Sequence, residues 1–549
     1  SITLQGTASV SDYGIWAESL SGATNKGTIE LDYGIGLYGG SGGSTASDYA
    51  QSLLNDVGGT ITVHQNGVGM SSLQGTLTNN GNINVESGLG MEIGAKRGSG
   101  ITWSVTSGEN GGSITVQDGT GVSVSSPDAT QQSSFTNTQS GSIYVESGTG
   151  VEAYNSAVTN KGTIKVDKGA SDSEELVGVL SAGSSGIENS GNILVNEQED
   201  WDAGDVNKAN VYGIYSDGEV TNTGTINVWG YRNADENDGA YGIWTQDNVT
   251  NTGTIKVVNG ASASNKAKTW GIYSNYYPED TPTLQNSKKV INGTYTNRGT
   301  IEATTVGLEG FNVQNVNGNI SVNGSTEVDE TIYGMKGMYV GQGSAGGNAQ
   351  QTWVTLTNSL TSSSKTFEAY GLYGEYGSAS NSKQSRLIVS LKGVDENVPM
   401  NAYGIYADSY SSLYDMTNER MHVSNAGQLS ITSDGRSNEL YGMYMKGSNP
   451  RDSWVSNALG ATITVPSGSK KAYGIYAENV TAYNYGTINV SAGREAGYGI
   501  YGVSNEENMN IENEGTIKVI SATGSYVYGI YADGSVYVEN RGDIIVQGS

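Results

Sequence analysis

The sequence has no cysteine in 549 residues. A disulfide framework, a cysteine-ligated zinc and a thiol nucleophile are therefore excluded. Only 2 histidines are present, which leaves little for histidine-based catalysis. Positive charge is also scarce: 28 Lys and Arg stand against 55 Asp and Glu, a formal net charge of −27. So acidic a surface repels phosphate backbones and anionic headgroups, which makes nucleic acid and membrane surfaces poor partners. No run of 18 apolar residues exists, so no helical membrane span or direct membrane insertion is expected. Proline numbers 6 and phenylalanine 3. The chain starts at Ser1 without a Met, as expected of a processed or trimmed segment.

What is abundant is glycine, at 80 residues, and tyrosine, at 35. Both belong to a repeat. One motif reads Tyr-Gly-Ile-Tyr or Trp: Tyr13 to Trp16, Tyr212 to Tyr215, Tyr241 to Trp244, Tyr403 to Tyr406, Tyr473 to Tyr476. Weaker copies are centred on Gly69, Gly90, Gly121, Gly150 and Gly178. The other motif reads Asn-x-Gly-Thr-Ile-x-Val, as at Asn160 to Val166, Asn222 to Val228, Asn251 to Val257, Asn484 to Val490 and Asn513 to Val519. Counted by its glycine, the first motif occurs 18 times between Gly14 and Gly529, a mean spacing of about 30 residues. Individual intervals run from 20 to 38, which predicts a fixed core turn with loops of variable length.

Both motifs carry the two-residue alternation of strands. Ile226 and Val228 share one face, Thr225 and Asn227 the other. Tyr403, Ile405 and Ala407 are expected to face one way, Gly404 and Tyr406 the other. A unit of this size cannot bury its own apolar face, so units must stack. The predicted architecture is all-β, a parallel β-helix of about 18 coils, roughly 85 Å long at strand spacing. Residues 1–549 are expected to form a single β-helix domain, with irregular coils over about 327–398. The Asn before x-Gly recurs at Asn25, Asn79, Asn189, Asn297, Asn425 and Asn540 among others. Left-handed backbone and coil-to-coil side-chain hydrogen bonds are expected there, with positive φ at the glycine two residues on.

The Tyr-Gly-Ile-Tyr-Ala-Asp and Asn-x-Gly-Thr-Ile-x-Val coils resemble the passenger domains of Gram-negative autotransporters (type V secretion). Among these they are similar to large fusobacterial-type surface adhesins of the self-association kind. The resemblance covers essentially the whole chain. It implies a right-handed β-helix displayed at the bacterial surface, anchored at the outer membrane or released, and exported through a C-terminal translocator barrel. No barrel or cap is legible before Ser549, so a cut in a longer protein is expected. The lack of cysteine fits members that must stay unfolded during export.

Loops are expected after the Ile-x-Val strand, at Asn196 to Asn210, Tyr231 to Gly239 and Asn259 to Thr269. Others are expected after Tyr-Gly-Ile-Tyr, at Ser274 to Lys289, Gly374 to Gln384 and Asp408 to Glu419. A serine-protease reading fails: the Gly-Asp-Ser-Gly nucleophile motif is absent, and His64 and His422 lie about twelve coils apart. Glu197, Glu199, Asp200, Asp202 and Asp205 flank Trp201, and with Asp235, Glu236 and Asp238 they form acidic loops. Paired carboxylates would suit polysaccharide hydrolysis or elimination; a solvated acidic face is the plainer account. Calcium has ligands to offer in Asp172 to Glu175, Asp235 to Asp238 and Glu327 to Glu330, but no known calcium-loop spacing is matched. No metal or cofactor is expected beyond that. Arg541-Gly542-Asp543 spells an integrin-type tripeptide, although Arg541 and Gly542 occupy ordinary repeat slots.

The second aromatic of each motif defines an expected outward ladder: Trp16, Tyr215, Trp244, Tyr273, Tyr373, Tyr406, Tyr444, Tyr476, Tyr501 and Tyr531. Such rings either stack between coils or form a sticky stripe for glycans or a second rod. Tyr212, Tyr403 and Tyr528 are expected on the Ile face. The expected function is that of a non-enzymatic adhesin. Its partners would be copies of itself on neighbouring cells, or a host glycan or protein, leading to aggregation and biofilm. A polysaccharide-acting enzyme and a secreted toxin passenger are the alternatives.

Overall fold

A computed structural model describes residues 2–4, 12–18, 22–40, 52–94, 106–126, 132–167, 175–183, 185–196, 209–231, 239–259, 268–274, 293–324, 330–343, 352–358, 367–392, 400–408, 421–434, 437–447, 453–466, 468–521 and 524–548. The chain divides into two units, Ser1–Ala261 and Ser262–Ser549.

Among the described residues of the first unit the coils run over three faces, two of which share one long strand in Asn82–Ile93, Ser113–Ser125 and Ser142–Tyr154, and each face pairs in parallel with its counterpart one coil on. Val211–Ser216 pairs with Gly239–Thr245, Val220–Asn222 with Val249–Asn251, and Thr225–Gly230 with Thr254–Asn259. Three parallel sheets result, wrapped about one core, which is the arrangement of a β-helix. The predicted weak motif copies fall into register: Met70, Met91, Val122, Val151, Val179, Ile214 and Ile243 form one column. The core is built from like on like. Ile29, Ile61, Ile83, Ile114, Ile143, Ile164, Ile193, Ile226 and Ile255 stack in a single line, each essentially fully buried. Burying such a side chain contributes about 1.5–3 kcal/mol.

The second unit repeats the plan. Met400–Asp408 pairs with Ser437–Lys446, His422–Asn425 with Trp454–Asn457, and Gln428–Ser433 with Thr462–Val465. Between residues 330 and 392 pairing continues on all three faces, with one register shift where Gly337 and Tyr339 meet Gly374 and Ser378. The predicted loop from Gly374 falls largely inside the strand Phe367–Asn381, and the extra residues form a bulge there.

At one corner the asparagines form the expected ladder. Asn25, Asn55, Asn79, Asn110, Asn137, Asn160, Asn189, Asn222 and Asn251 each donate from Nδ2 to Oδ1 of the next, at 2.7–2.9 Å. In the second unit Asn381, Asn425, Asn457, Asn484, Asn513 and Asn540 do the same. The expected left-handed backbone is not found at these residues; positive φ falls on other asparagines, such as Asn66, Asn155 and Asn479. Nor do the motif glycines need positive φ. A Cβ on Gly224 would lie 2.1 Å from the Gly191 carbonyl oxygen, and one on Gly253 2.0 Å from that of Gly224. Close approach of successive backbones, rather than turn geometry, requires glycine.

Strict alternation also breaks inside Tyr-Gly-Ile-Tyr. A Cβ on Gly404 would meet the Gly442 carbonyl oxygen at 2.5 Å and core Leu429 at 2.6 Å, so this position faces inward. Ile405 is also fully buried. Two consecutive inward residues turn Tyr403 to the outside with Tyr406, and the two rings meet edge to face at 5.2 Å. The expectation that Tyr212, Tyr403 and Tyr528 share the Ile face is thus corrected. One glycine column and two tyrosine columns follow from this kink.

Two outcomes are expected. Asn222→Asp keeps an acceptor for Asn189 but cannot donate to Asn251, and adds a buried charge. It should lower the urea midpoint more than Asn222→Ala, which costs about 1–3 kcal/mol per orphaned group. Gly404→Ala forces a methyl onto a backbone oxygen and should cost about 1–3 kcal/mol. Faster amide exchange confined to the neighbouring coils would report it.

Candidate interaction surface

The kink creates an extended aromatic array in the second unit. Tyr333, Tyr370, Tyr403, Tyr441, Tyr473, Tyr498 and Tyr528 form one column, with centroids 4.6–5.3 Å apart and ring planes within 13°. Tyr373, Tyr406, Tyr444, Tyr476, Tyr501 and Tyr531 form a second beside it, at 4.8–5.1 Å. Rings of the two columns meet edge to face. Each such pair adds about 0.5–1.5 kcal/mol beyond its burial. Before Tyr373 the second column holds Glu309 and then Lys336 in register. Lys336 pairs with Glu309 at 3.0 Å and Glu375 at 3.4 Å, and lies 5.5 Å over the Tyr333 ring.

Carboxylates frame the columns. Tyr370 donates to Glu368 at 3.0 Å, Tyr406 to Asp408 at 3.5 Å, and Tyr441 to Glu439. Lys471 pairs with Glu439 and Lys446 with Glu478. Burial, then these carboxylates, hold the tyrosine hydroxyls of Tyr370, Tyr406 and Tyr441 above their usual range. Tyr333 is pushed up to about 12, mainly by burial.

The first unit differs from the expected continuous ladder. Tyr13, Trp16 and Tyr38 cluster at one place, and Tyr212, Tyr215, Tyr241 and Trp244 at another. Between Tyr38 and Tyr215 the second-aromatic column carries Ser71, Glu92, Ser123, Glu152 and Leu180 instead. Trp16 is 52% exposed. Tyr273 stands in register with Glu309 in the second unit. The predicted ladder residues are thus brought together in groups rather than in one line, and the column of first tyrosines, buried against the second over Tyr370 to Tyr473, was missed as its partner. Only the closeness of two aromatics three residues apart, around a glycine, signalled it.

Ring stacking decides what this array can bind. Interior rings cover one another's faces, leaving edges and hydroxyls, so a sugar cannot lie flat on them. The stripe is first of all a structural zipper.

Glu197, Glu199, Asp200, Trp201, Asp202 and Asp205, and Asp235, Glu236 and Asp238, lie outside the described residues. So do the candidate calcium clusters, apart from Glu175 and the backbone of Glu330. Among the described residues, no group of three or more His, Asp or Glu is placed to hold a metal ion. His64 lies between Glu86 at 3.0 Å and Glu30 at 3.3 Å, whose hydrogen bonds raise its pKa. His422 stacks on Trp454 at 5.2 Å. Arg541 is held by Glu514 and Glu539, at 2.9 and 2.7 Å, and Gly542 and Asp543 follow the ladder corner in regular register. The tripeptide thus occupies regular positions of the scaffold, with the Arg541 side chain exposed.

The chain is therefore an all-β protein with the stacked parallel coils of a β-helix. A family model described as the BigA third pectate lyase-like domain matches residues 1–102 and 400–549, together somewhat under half of the chain. The match supports a pectate lyase-like β-helix and, coarsely, a bacterial surface-associated protein of adhesin type. No curated protein and no solved structure matches the chain.

The buried tyrosines carry a pH prediction. Neutral tyrosine is favoured in the folded state, so its stabilisation is complete below the ordinary value of 10.0 and is lost above it, as the unfolded chain ionises. Tyrosinate absorbance should then appear together with loss of β-sheet signal, rather than as an independent titration near 10.

Proposed function

We propose that the chain is the displayed segment of a bacterial surface adhesin of the autotransporter type, acting without catalysis. It mediates self-aggregation and biofilm, or attachment to a host glycan or protein. The β-helix of each unit is right-handed, the hand that parallel crossovers almost always take. One observation carries the reading. Outward polar side chains repeat in register along the sheets, as in Thr163, Asn192, Thr225 and Thr254, and again in Thr462, Thr487 and Thr516. Rows of weak, identical hydrogen-bonding groups at strand spacing favour many small contacts over one deep pocket. Their affinity grows by multivalency when two such surfaces align.

The net charge of −27 opposes that alignment. Screening shortens the repulsion to about 8 Å at physiological salt. Clumping of cells or beads bearing the chain should strengthen with ionic strength or divalent cations. Clumping indifferent to salt would remove the electrostatic part of the proposal, and absence of clumping with absence of glycan or host-cell binding would remove the whole.

The pectate lyase-like match favours a second reading, that of a polysaccharide-acting enzyme. Incubation with a broad glycan panel decides it: released oligosaccharide would establish catalysis, and none across the panel would leave the adhesin.

A further inference from the structure

The second unit has a corner where the asparagine ladder is interrupted. Gln342 stands in register between Asn315 and Asn381. Its longer side chain donates instead to the Thr352 and Arg386 carbonyls, at 3.1 and 2.8 Å. A groove of about 310 Å³ opens on the coils that follow, lined among others by Lys383, Arg386, Gln428, Leu459 and Gly460.

Its lining is cationic in a chain whose net charge is −27. Lys383 and Arg386 lie three residues apart, and among the described residues neither forms an ion pair. The residues in register around Arg386 are Trp353 and Gln428, with Ile388 and Ser430 two positions on. None carries a carboxylate, although the chain has 55 acidic residues. The Arg386 guanidinium carbon sits 4.8 Å from the Trp353 ring centroid. That contact holds the planar fork in place before any ligand arrives, while Trp353 itself does not line the groove. A pre-positioned guanidinium offers paired N–H donors that match a carboxylate. Leu459, 80% exposed, supplies an apolar wall, and the Gln428 amide suits hydroxyls.

We propose that this groove binds the carboxylate-bearing sugar of an acidic glycan, with Arg386 and Lys383 holding the carboxylate. The proposal rests on the adhesin reading and names a ligand class for it. A uronate within a chain and a terminal sialate share this chemistry.

The test is calorimetric titration of the whole chain with hyaluronan hexasaccharide and with sialyllactose, against neutral chitohexaose and lactose. Binding of at least one acidic probe, weakened by salt, with the neutral probes inert, is expected; the acidic arm that binds identifies the source. Arg386→Gln should weaken binding about tenfold or more, and Arg386→Lys should restore only part of it. Lys383→Gln, on an exposed side chain, should weaken it less and decides the matter if Arg386→Gln does not fold by circular dichroism. Equal binding of neutral and acidic probes, no binding of either acidic probe, or unchanged affinity in the folded variants would overturn the proposal. Cell clumping read in the same variants separates the two claims. Clumping without acidic-glycan binding sinks the groove alone, and acidic-glycan binding without clumping sinks self-association.

Discussion

Parallel coils placed one strand spacing apart impose a single constraint: whatever occupies a position lies against its own counterpart about 4.8 Å away. Side chains survive only if they tolerate their own kind at that distance. Isoleucine does so by dispersion and burial, and its column is the core of the first unit. Asparagine does so because it is donor and acceptor at once, and closes a bond to the next coil at 2.7–2.9 Å. Tyrosine does so by stacking, and glycine by having nothing to collide. Aspartate could not take the asparagine place, since two carboxylates would meet without a proton between them.

The same constraint separates scaffold from surface. Several residues that appeared functional by type are also stacked components. The tyrosine columns spend their ring faces on one another, and Arg541 spends its charge on Glu514 and Glu539. What the stacking leaves over, and what the proposals above rest on, is the outward rows of threonine and asparagine and the sites where a column is broken. The corner beside Gln342 is such a site. There the Gln342 Oε1 and Asn381 Oδ1 atoms are buried without a hydrogen-bond partner, where two successive asparagines would have satisfied one of them. Unpaired polar atoms of this kind are uncommon in regular structure. The regular columns resume at Asn425.

Charge works against the assembly of such surfaces and in favour of their selectivity. A strongly negative chain is kept apart from its copies until salt or cations screen it. Isolated cations with no acidic neighbour then become local exceptions that can be read by an anionic group. Arg386 beside Trp353 is such an exception.

Much of the fold was legible in the amino-acid order. The recurrence of Asn-x-Gly-Thr-Ile-x-Val and Tyr-Gly-Ile-Tyr, with alternating Ile and Val, was enough to set strands, repeat length, coil stacking and the asparagine ladder. Those properties are local or follow from repetition. The direction of a side chain at a kink was not legible, because alternation assumes a straight strand and Gly404 bends this one. Nor was the reason for the motif glycines, since the atom that excludes a Cβ at Gly224 belongs to Gly191, a coil away. The groove beside Arg386 joins residues from successive coils, and only the register between coils, set by core packing in three dimensions, brings them to one place.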